Sequence, residues 1–167
     1  MYQIVVLVPI LPEGYSKLDS TNSIRMAIRK ATLADATAIK QLLRQLDYPP
    51  GNFVRKKMTA VMDNPNALLL VYEVENAVRG FLQLDFIPQV ALPGDFARIS
   101  YFAVDQHARS KGIGKALEEQ VIKLAKKRKC DRIEVHCHER RKAAHRFYYR
   151  QGYTEAPKYL VKHLRRS

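Results

Sequence analysis

The chain has 167 residues, 47% hydrophobic and 27% charged, which is ordinary globular usage and excludes wholesale disorder. At that length one domain buries roughly 70% of the surface its unfolded chain exposes, so the core needs no staples. Two cysteines, Cys130 and Cys137, make neither a disulfide framework nor a C-x-x-C pair, as expected of a reduced cytoplasmic protein. The net charge of +13 is unevenly placed: residues 1–108 hold 11 basic and 10 acidic side chains, and residues 109–167 hold 18 and 6. The last third therefore meets an anion, whether a phosphorylated cofactor, a nucleic acid or an acidic partner.

Residues 1–23 read as an N-terminal arm or an extra edge strand. Ile4 to Leu11 is apolar but too short to span a bilayer, and Pro9 and Pro12 interrupt it. It lacks the basic region and the cleavage site of a signal peptide, so no membrane partner is expected. A short strand follows from Ile24 to Arg29. Thr32 and Asp35 form a capping-box pattern, with a Thr oxygen expected to take an early helix N–H. Ile39, Leu42, Leu43 and Leu46 continue at helical spacing until Tyr48-Pro49-Pro50-Gly51 stops the helix. A second amphipathic helix runs from Phe53 to Met62.

The period then changes. Leu68 to Val74 and Phe81 to Ile87 are strand-like runs, and Glu75 to Gly80 between them reads as a hairpin loop. Pro88 to Gly94 is a loop and Ala97 to Val104 a third long strand. A strong helix spans Gly112 to about Lys129, Arg132 to Cys137 is a strand, and Glu139 to Gln151 is a helix ended by Gly152. Tyr159 to Leu164 reads as a last strand. The order is β-α-α-β-β-β-α-β-α-β: one α/β domain over residues 24–167, with a mixed, mainly antiparallel sheet flanked by helices.

The informative stretch is Tyr101 to Lys115, a glycine-rich basic turn between a strand and a helix. A helix start presents unpaired N–H groups and a positive dipole end, and glycines let the backbone approach an anion closely. Arg109, Lys111 and Lys115 add charge. A Walker A loop fails here, because Arg109 holds its first glycine position and Ala116 its hydroxyl position. A dinucleotide fingerprint fails as well, because Leu117 holds its third glycine position and the strands upstream form hairpins.

Arg109-Ser110-Lys111-Gly112-Ile113-Gly114 resembles the Q/R-x-x-G-x-G/A pyrophosphate loop of the GNAT N-acetyltransferase superfamily. The preceding strand, ending Phe102-Ala103-Val104, resembles the family's cofactor-contacting strand. Ala144, Phe147, Tyr148, Gly152 and Tyr153 resemble its A-x-x-[LF]-Y-x-x-x-G-[FY] helix. The resemblance is specific over residues 97–164, rests on element order from Met26 to Ile87, and finds no counterpart in residues 1–23.

That resemblance implies an acetyl-CoA-dependent N-acetyltransferase. Phe102 and Val104 would offer main-chain groups to the pantetheine amides. The N–H groups of Arg109, Ser110, Lys111, Gly112, Ile113 and Gly114, with Lys115, would hold the pyrophosphate. Tyr148 matches the general acid that protonates the leaving thiolate, since a phenol with pKa about 10 can donate to a thiolate of similar basicity. A free primary amine would attack the thioester directly, with no metal and no covalent intermediate. Many relatives carry a carboxylate where this chain has Arg98 and Ser100, and an Asn where it has Arg141. The base is then His136, His138, Glu139 or a water.

Competing readings remain for single residues. Tyr149 is the confounder for Tyr148, His107 reads as an exposed loop residue, and Cys137 as a small core residue. Lys126-Lys127-Arg128-Lys129 is a solvated helix end or a contact for the 3′-phosphate of CoA. Tyr48, Phe53 and the loop Pro88 to Phe96 fall where the family's acceptor loops lie, and Arg98 leaves room for an acceptor carboxylate. Homodimers are common in the family, and one here would give the arm an edge to cover. Two alternatives for the whole chain stand beside the enzyme. One is a basic nucleic-acid-binding module using Tyr148, Tyr149, Tyr153 and Tyr159. The other is a catalytically silent acyl-CoA-binding sensor.

Overall fold

Alternating apolar side chains build a five-stranded sheet from β1 (Met26–Lys30), β2 (Ala67–Val74), β3 (Ala77–Ile87), β4 (Phe96–Val104) and β5 (Arg132–Val135). The computed structural model describes residues 25–156, 160–162 and 164. These form two compact units, the first ending at His136 and the second beginning at Cys137. The N-terminal arm lies outside the described residues.

In the first unit the strands lie in chain order, antiparallel from β1 to β4, with β5 added parallel to β4. Helices α1 (Ala36–Arg44), α2 (Val54–Met62) and α3 (Ile113–Lys127) cover its two faces. On one face Leu82, Leu84, Phe86, Ala97 and Ile99 pack against Ile113, Leu117, Val121 and Ala125 of α3. On the other, Leu69, Val71, Phe81 and Ala103 pack against Ile39 and Leu42 of α1 and Val54 and Met58 of α2. Each fully buried aliphatic side chain contributes roughly 1.5–3 kcal/mol, so both stripes are needed to hold the sheet.

One irregularity positions the site. The β3–β4 register jumps from Gln83↔Tyr101 to Leu84↔Ile99, which leaves Ser100 as the extra residue of a bulge. The bulge reverses the side-chain parity of β4. Ala97 and Ile99 before it face α3, whereas Ala103 after it faces α1 and α2. Pairing with β5 stops at Ile99↔Val135, although β4 runs on to Val104.

Several boundaries differ from those expected. The hairpin between β2 and β3 is a two-residue turn, not a six-residue loop. Glu75 (φ 48°) and Asn76 (φ 61°) are both left-handed, the backbone that matches strand twist in a tight hairpin, and the ladder resumes at Val74↔Ala77. Pairing thus recruits Ala77 to Gly80 into β3. Gly80 fits there because a Cβ would press on Ala103 O at 3.1 Å and on Ile113 and Leu117 at 3.3 Å, so it lets the start of α3 sit close to the sheet. Thr32 and Asp35 do form the expected capping box, in which Thr32 N–H and hydroxyl also donate to Asp35 (2.7 and 3.2 Å). β5 ends at Val135, two residues before Cys137.

In the second unit α4 (Lys142–Arg150) begins three residues later than Glu139, after a turn in which Arg141 N–H donates to His138 C=O. Of the range expected to form a last strand, the described residues 160–162 and 164 carry no strand.

Candidate active site

The turn from β4 into α3 is built to leave amides open. Asp105 starts it: the buried carboxylate accepts from His107 N–H (3.2 Å), Gln45 Nε2 (3.4 Å) and Arg79 Nη1 (3.0 Å). Burial would raise its pKa, but these hydrogen bonds outweigh that and hold it below the usual carboxylate range. Ser110 (φ 62°) and Gly112 (φ 82°) then take left-handed backbone, and Gly112 is the N-cap of α3 with no side chain to close it. The first helical bond runs from Ala116 N–H to Gly112 C=O, so the amides of Ile113, Gly114 and Lys115 have no acceptor within the helix. Arg109, Ser110 and Lys111 are exposed around them. Lys115 lies 3.8 Å from Glu119, one turn on.

The strand before this turn contributes peptide groups. The ladder bond from Asp105 N–H to Arg79 C=O (2.8 Å) continues the β3–β4 register, so residues 101, 103 and 105 bond β3. The peptide groups of Phe102 and Val104 therefore point to the opposite edge, on the side where β5 has ended. Val104 C=O accepts there from Arg109 Nε at 3.4 Å.

On the α1–α2 face lies an open cleft of about 450 Å³. Tyr48, Phe53, Met58 and Tyr101 give it an apolar wall, and Gln83 and Lys57 are its polar side chains besides the tyrosine hydroxyls. Tyr48 and Tyr101 meet edge to face at 5.5 Å. Burial, with Tyr48 beside it, pushes the Tyr101 phenol up. Residues 88–96 contribute nothing to the cleft lining; Gly94 N–H instead donates to Asp131 at 2.7 Å. Beyond Gln83 the same sheet face carries a polar row across β3, β4 and β5. Asp85 accepts from Gln83 Nε2 and from the Ser100 hydroxyl, and Glu134 accepts from Arg98 (3.0 Å) and Arg132 (2.8 Å). The Arg98 charge is thus met inside the protein.

In the second unit, α4 ends in a Schellman motif. Tyr153 N–H donates to Tyr148 C=O (3.1 Å), Gly152 N–H donates to Tyr149 C=O (3.0 Å), and Gly152 is left-handed at φ 86°. The ring of Tyr153 then meets that of buried Tyr148 at 5.3 Å, and Phe147 meets it at 5.3 Å from another side. The spacing Tyr148, Gly152, Tyr153 is therefore a device that fixes one tyrosine. Tyr149 is exposed, and its hydroxyl donates to Glu155, which raises its pKa.

The acetyltransferase (GNAT) family model matches residues 37–153, more than half the chain. The chain belongs to this family. As a GNAT protein it is an acetyl-CoA-dependent acyltransferase, and solved structures repeat its fold. A transcriptional regulator from Bacillus halodurans C-125 is 26% identical with a TM-score of 0.77, over 84% of this chain and 100% of that one. Glucosamine-6-phosphate N-acetyltransferase from Arabidopsis thaliana is 19% identical with a TM-score of 0.73, over 84% and 99%. An aminoglycoside N-acetyltransferase in complex with CoA is 14% identical with a TM-score of 0.75, over 89% and 99%. Among the described residues of this GNAT chain, no helix is long and apolar enough to cross a membrane.

The residues singled out from sequence lie across both units and fall into two groups. Phe102, Ala103, Val104 and Arg109 to Lys115 form one continuous strand-turn-helix segment, with Ala103 buried in the α1–α2 core rather than facing the turn. The residues considered as bases are weaker. His138 Nδ1 accepts from Arg140 N–H at 3.2 Å, so a neutral ring has that lone pair engaged, and His136 and Glu139 are exposed. Burial pushes the thiols of Cys130 and Cys137 up, which disfavours a thiolate nucleophile at either. The basic run lies at the far end of α3, whose 15 residues span about 22 Å. Within that run Arg128 is used structurally, bonding Pro65 C=O at 3.0 Å and covering the Phe86 ring at 4.4 Å.

Sequence reading missed Asp85 and Gln83. Asp85 falls between apolar residues on a strand, and only the pairing of β3 with the bulged β4 brings Ser100 to it.

Proposed function

We propose that this chain moves the acetyl group of acetyl-CoA to a primary amine by direct attack of the free amine, with Tyr148 as general acid. The observation that carries the reading is the start of α3. Three helix amides there lack an intrahelical acceptor, the cap has no side chain, and Arg109, Lys111 and Lys115 surround it. A pyrophosphate fits this arrangement, because it supplies the missing acceptors and the negative charge that a helix start favours. Phe102 and Val104 would hold the pantetheine through their peptide groups. When bound, acetyl-CoA supplies an acyl group activated as a thioester. Tyr148, fixed by Gly152 and Tyr153, would hold its proton on Oη and give it to the leaving sulfur. The acceptor would lie in the cleft walled by Tyr48, Phe53 and Tyr101. The sparse cysteine content, with no C-x-x-C pair, is what suggests a cytoplasmic enzyme.

The test is thermal unfolding with and without acetyl-CoA, beside the Gly112→Asp/Gly114→Asp double variant. Ligand at about 100 times Kd adds roughly 2.7 kcal/mol, or about 5–10 °C for a domain of this size. A shift of that order, absent with NAD or an oligonucleotide and lost in the variant, supports the reading. No shift from a folded protein overturns it. Release of free thiol in the presence of an amine separates an enzyme from a silent binder.

A further inference from the structure

The carboxylates of the first unit are not treated alike. Asp35 and Glu73 share Arg29, Asp105 pairs with Arg79, and Glu134 is held by Arg98 and Arg132. Asp85 has no cation within ion-pair distance among the described residues. It stands half-buried on β3 opposite Arg98, whose guanidinium bonds Glu134 instead. Its contacts are with neutral groups: Gln83 Nε2 at 3.0 and 3.2 Å, and the Ser100 hydroxyl. Gln83 lines the apolar cleft, and Ser100 is the bulge residue just past the last β4–β5 pair. One carboxylate therefore connects the wall of the cleft to the point where β4 outruns β5. With neutral partners only, this carboxylate is open to a cation brought by a ligand. The acetyl-transfer reaction brings one such cation, the protonated amine.

We propose that Asp85, with Ser100 and Gln83 bonded to it, receives the ammonium group of the acceptor and takes the proton that must leave before the amine attacks. This rests on the acetyl-transfer reading above. It also names the acceptor class: a primary amine on an apolar, ring-sized body, because the cleft offers rings and aliphatic groups but few partners for sugar hydroxyls. The proton balance is as follows. The ammonium carries two protons more than the product amide nitrogen. Ser100 Oγ gives its proton to Asp85 and takes the first from nitrogen. The freed lone pair forms the C–N bond to the acetyl carbon as the C–S bond breaks and its electron pair goes to sulfur. The sulfur takes a proton from the general acid, which the second nitrogen proton restores, and Asp85 returns its proton to solvent.

Wild type, Asp85→Asn and Ser100→Ala are compared for CoA affinity by calorimetry and for turnover of 2-phenylethylamine, hexylamine, glucosamine and sisomicin. The expected result is CoA affinity within twofold in all three proteins and a preference of at least tenfold for the two apolar amines. Asp85→Asn should lose about 100-fold in kcat/KM at pH 7, the range for one acid–base group, and Ser100→Ala about tenfold. The Asp85→Asn deficit should shrink severalfold by pH 9.5, where more amine is already free, which a merely structural role would not produce. Asp85→Asn turnover within threefold of wild type, or a deficit independent of pH, overturns the role of Asp85. Preference for the sugars overturns the acceptor class, and CoA binding with no amine turned over overturns the inference as a whole. Failure of wild type to bind CoA instead sinks the acetyl-transfer reading. Should Asp85→Asn not fold, Ser100→Ala with its pH profile decides.

Discussion

Helix α1 and helix α3 begin in opposite ways. Before α1, Asp35 accepts the N–H and hydroxyl of Thr32 and is clamped in turn by Arg29 at 2.8 Å, so the protein supplies its own anion. Before α3 there is no acid and no capping side chain, only left-handed Gly112 among basic residues. Glycine in place of a capping side chain costs only about a few tenths of a kcal/mol. Leaving one out where the flanking chain is cationic leaves the helix start open to an external anion. The C-terminus of α4 is a third case: closed by the chain itself through a Schellman motif, and closed in a way that holds Tyr148.

The largest effect expected tests that third end. Under the proposed role, Tyr148→Phe removes only the acid proton and should lower kcat by about 10²–10⁴ with CoA affinity unchanged. Tyr149→Phe should stay within about threefold, and the reverse ranking in a thiol-release assay would sink the assignment. Next is the open start. Gly114→Asp places an acid where phosphate is expected, so CoA affinity by calorimetry should fall about 100-fold or more. The same charge suits a helix N-terminus by about 0.3–1 kcal/mol, and replacing a helical glycine lowers the entropy lost on folding, so the midpoint without ligand should not fall.

Asp35→Asn is the mirror experiment. It breaks charge-assisted hydrogen bonds to Arg29 and should cost about 2 kcal/mol in denaturant unfolding while leaving CoA affinity intact. Its pH dependence sharpens the contrast. The hydrogen bonds from Arg29 hold the Asp35 carboxyl below its ordinary value, against the opposing effect of burial. Its contribution is thus fully present above the ordinary carboxylate range near pH 4 and is lost as pH falls through the lower folded-state value. The wild type should lose more stability below pH 4 than Asp35→Asn does. The smallest change expected is Glu119→Gln, which releases Lys115 from an exposed pair at 3.8 Å and should alter stability by less than about 0.5 kcal/mol.

Much of the local structure was legible from local signals. The run Arg109 to Lys115, the stop at Pro49-Pro50 and the glycine after α4 announce themselves because turn and cap chemistry depends on residues a few positions apart. The five-residue spacing from Tyr148 to Tyr153 is of that kind, and so were the element types along most of the chain. Boundaries were less legible wherever a partner strand decided them. Ala77 to Gly80 looks like loop by composition, yet pairing with β2 and β4 draws it into β3.

What the sequence by itself determined, then, is the strand-turn-helix that offers open amides to an anion, because that depends on φ preference and on hydrogen-bond supply within a dozen residues. Tertiary structure alone decided that half-buried Asp85 has no counterion among the described residues. Asp85, Ser100 and Gln83 meet through a bulge in the pairing of two strands, and Arg98 is drawn off by Glu134 on a third. No spacing along the chain encodes that difference. Charge neutralisation acts over a few ångströms of space, whereas Ser100 lies 15 residues from Asp85 and Glu134 lies 36 from Arg98 in sequence.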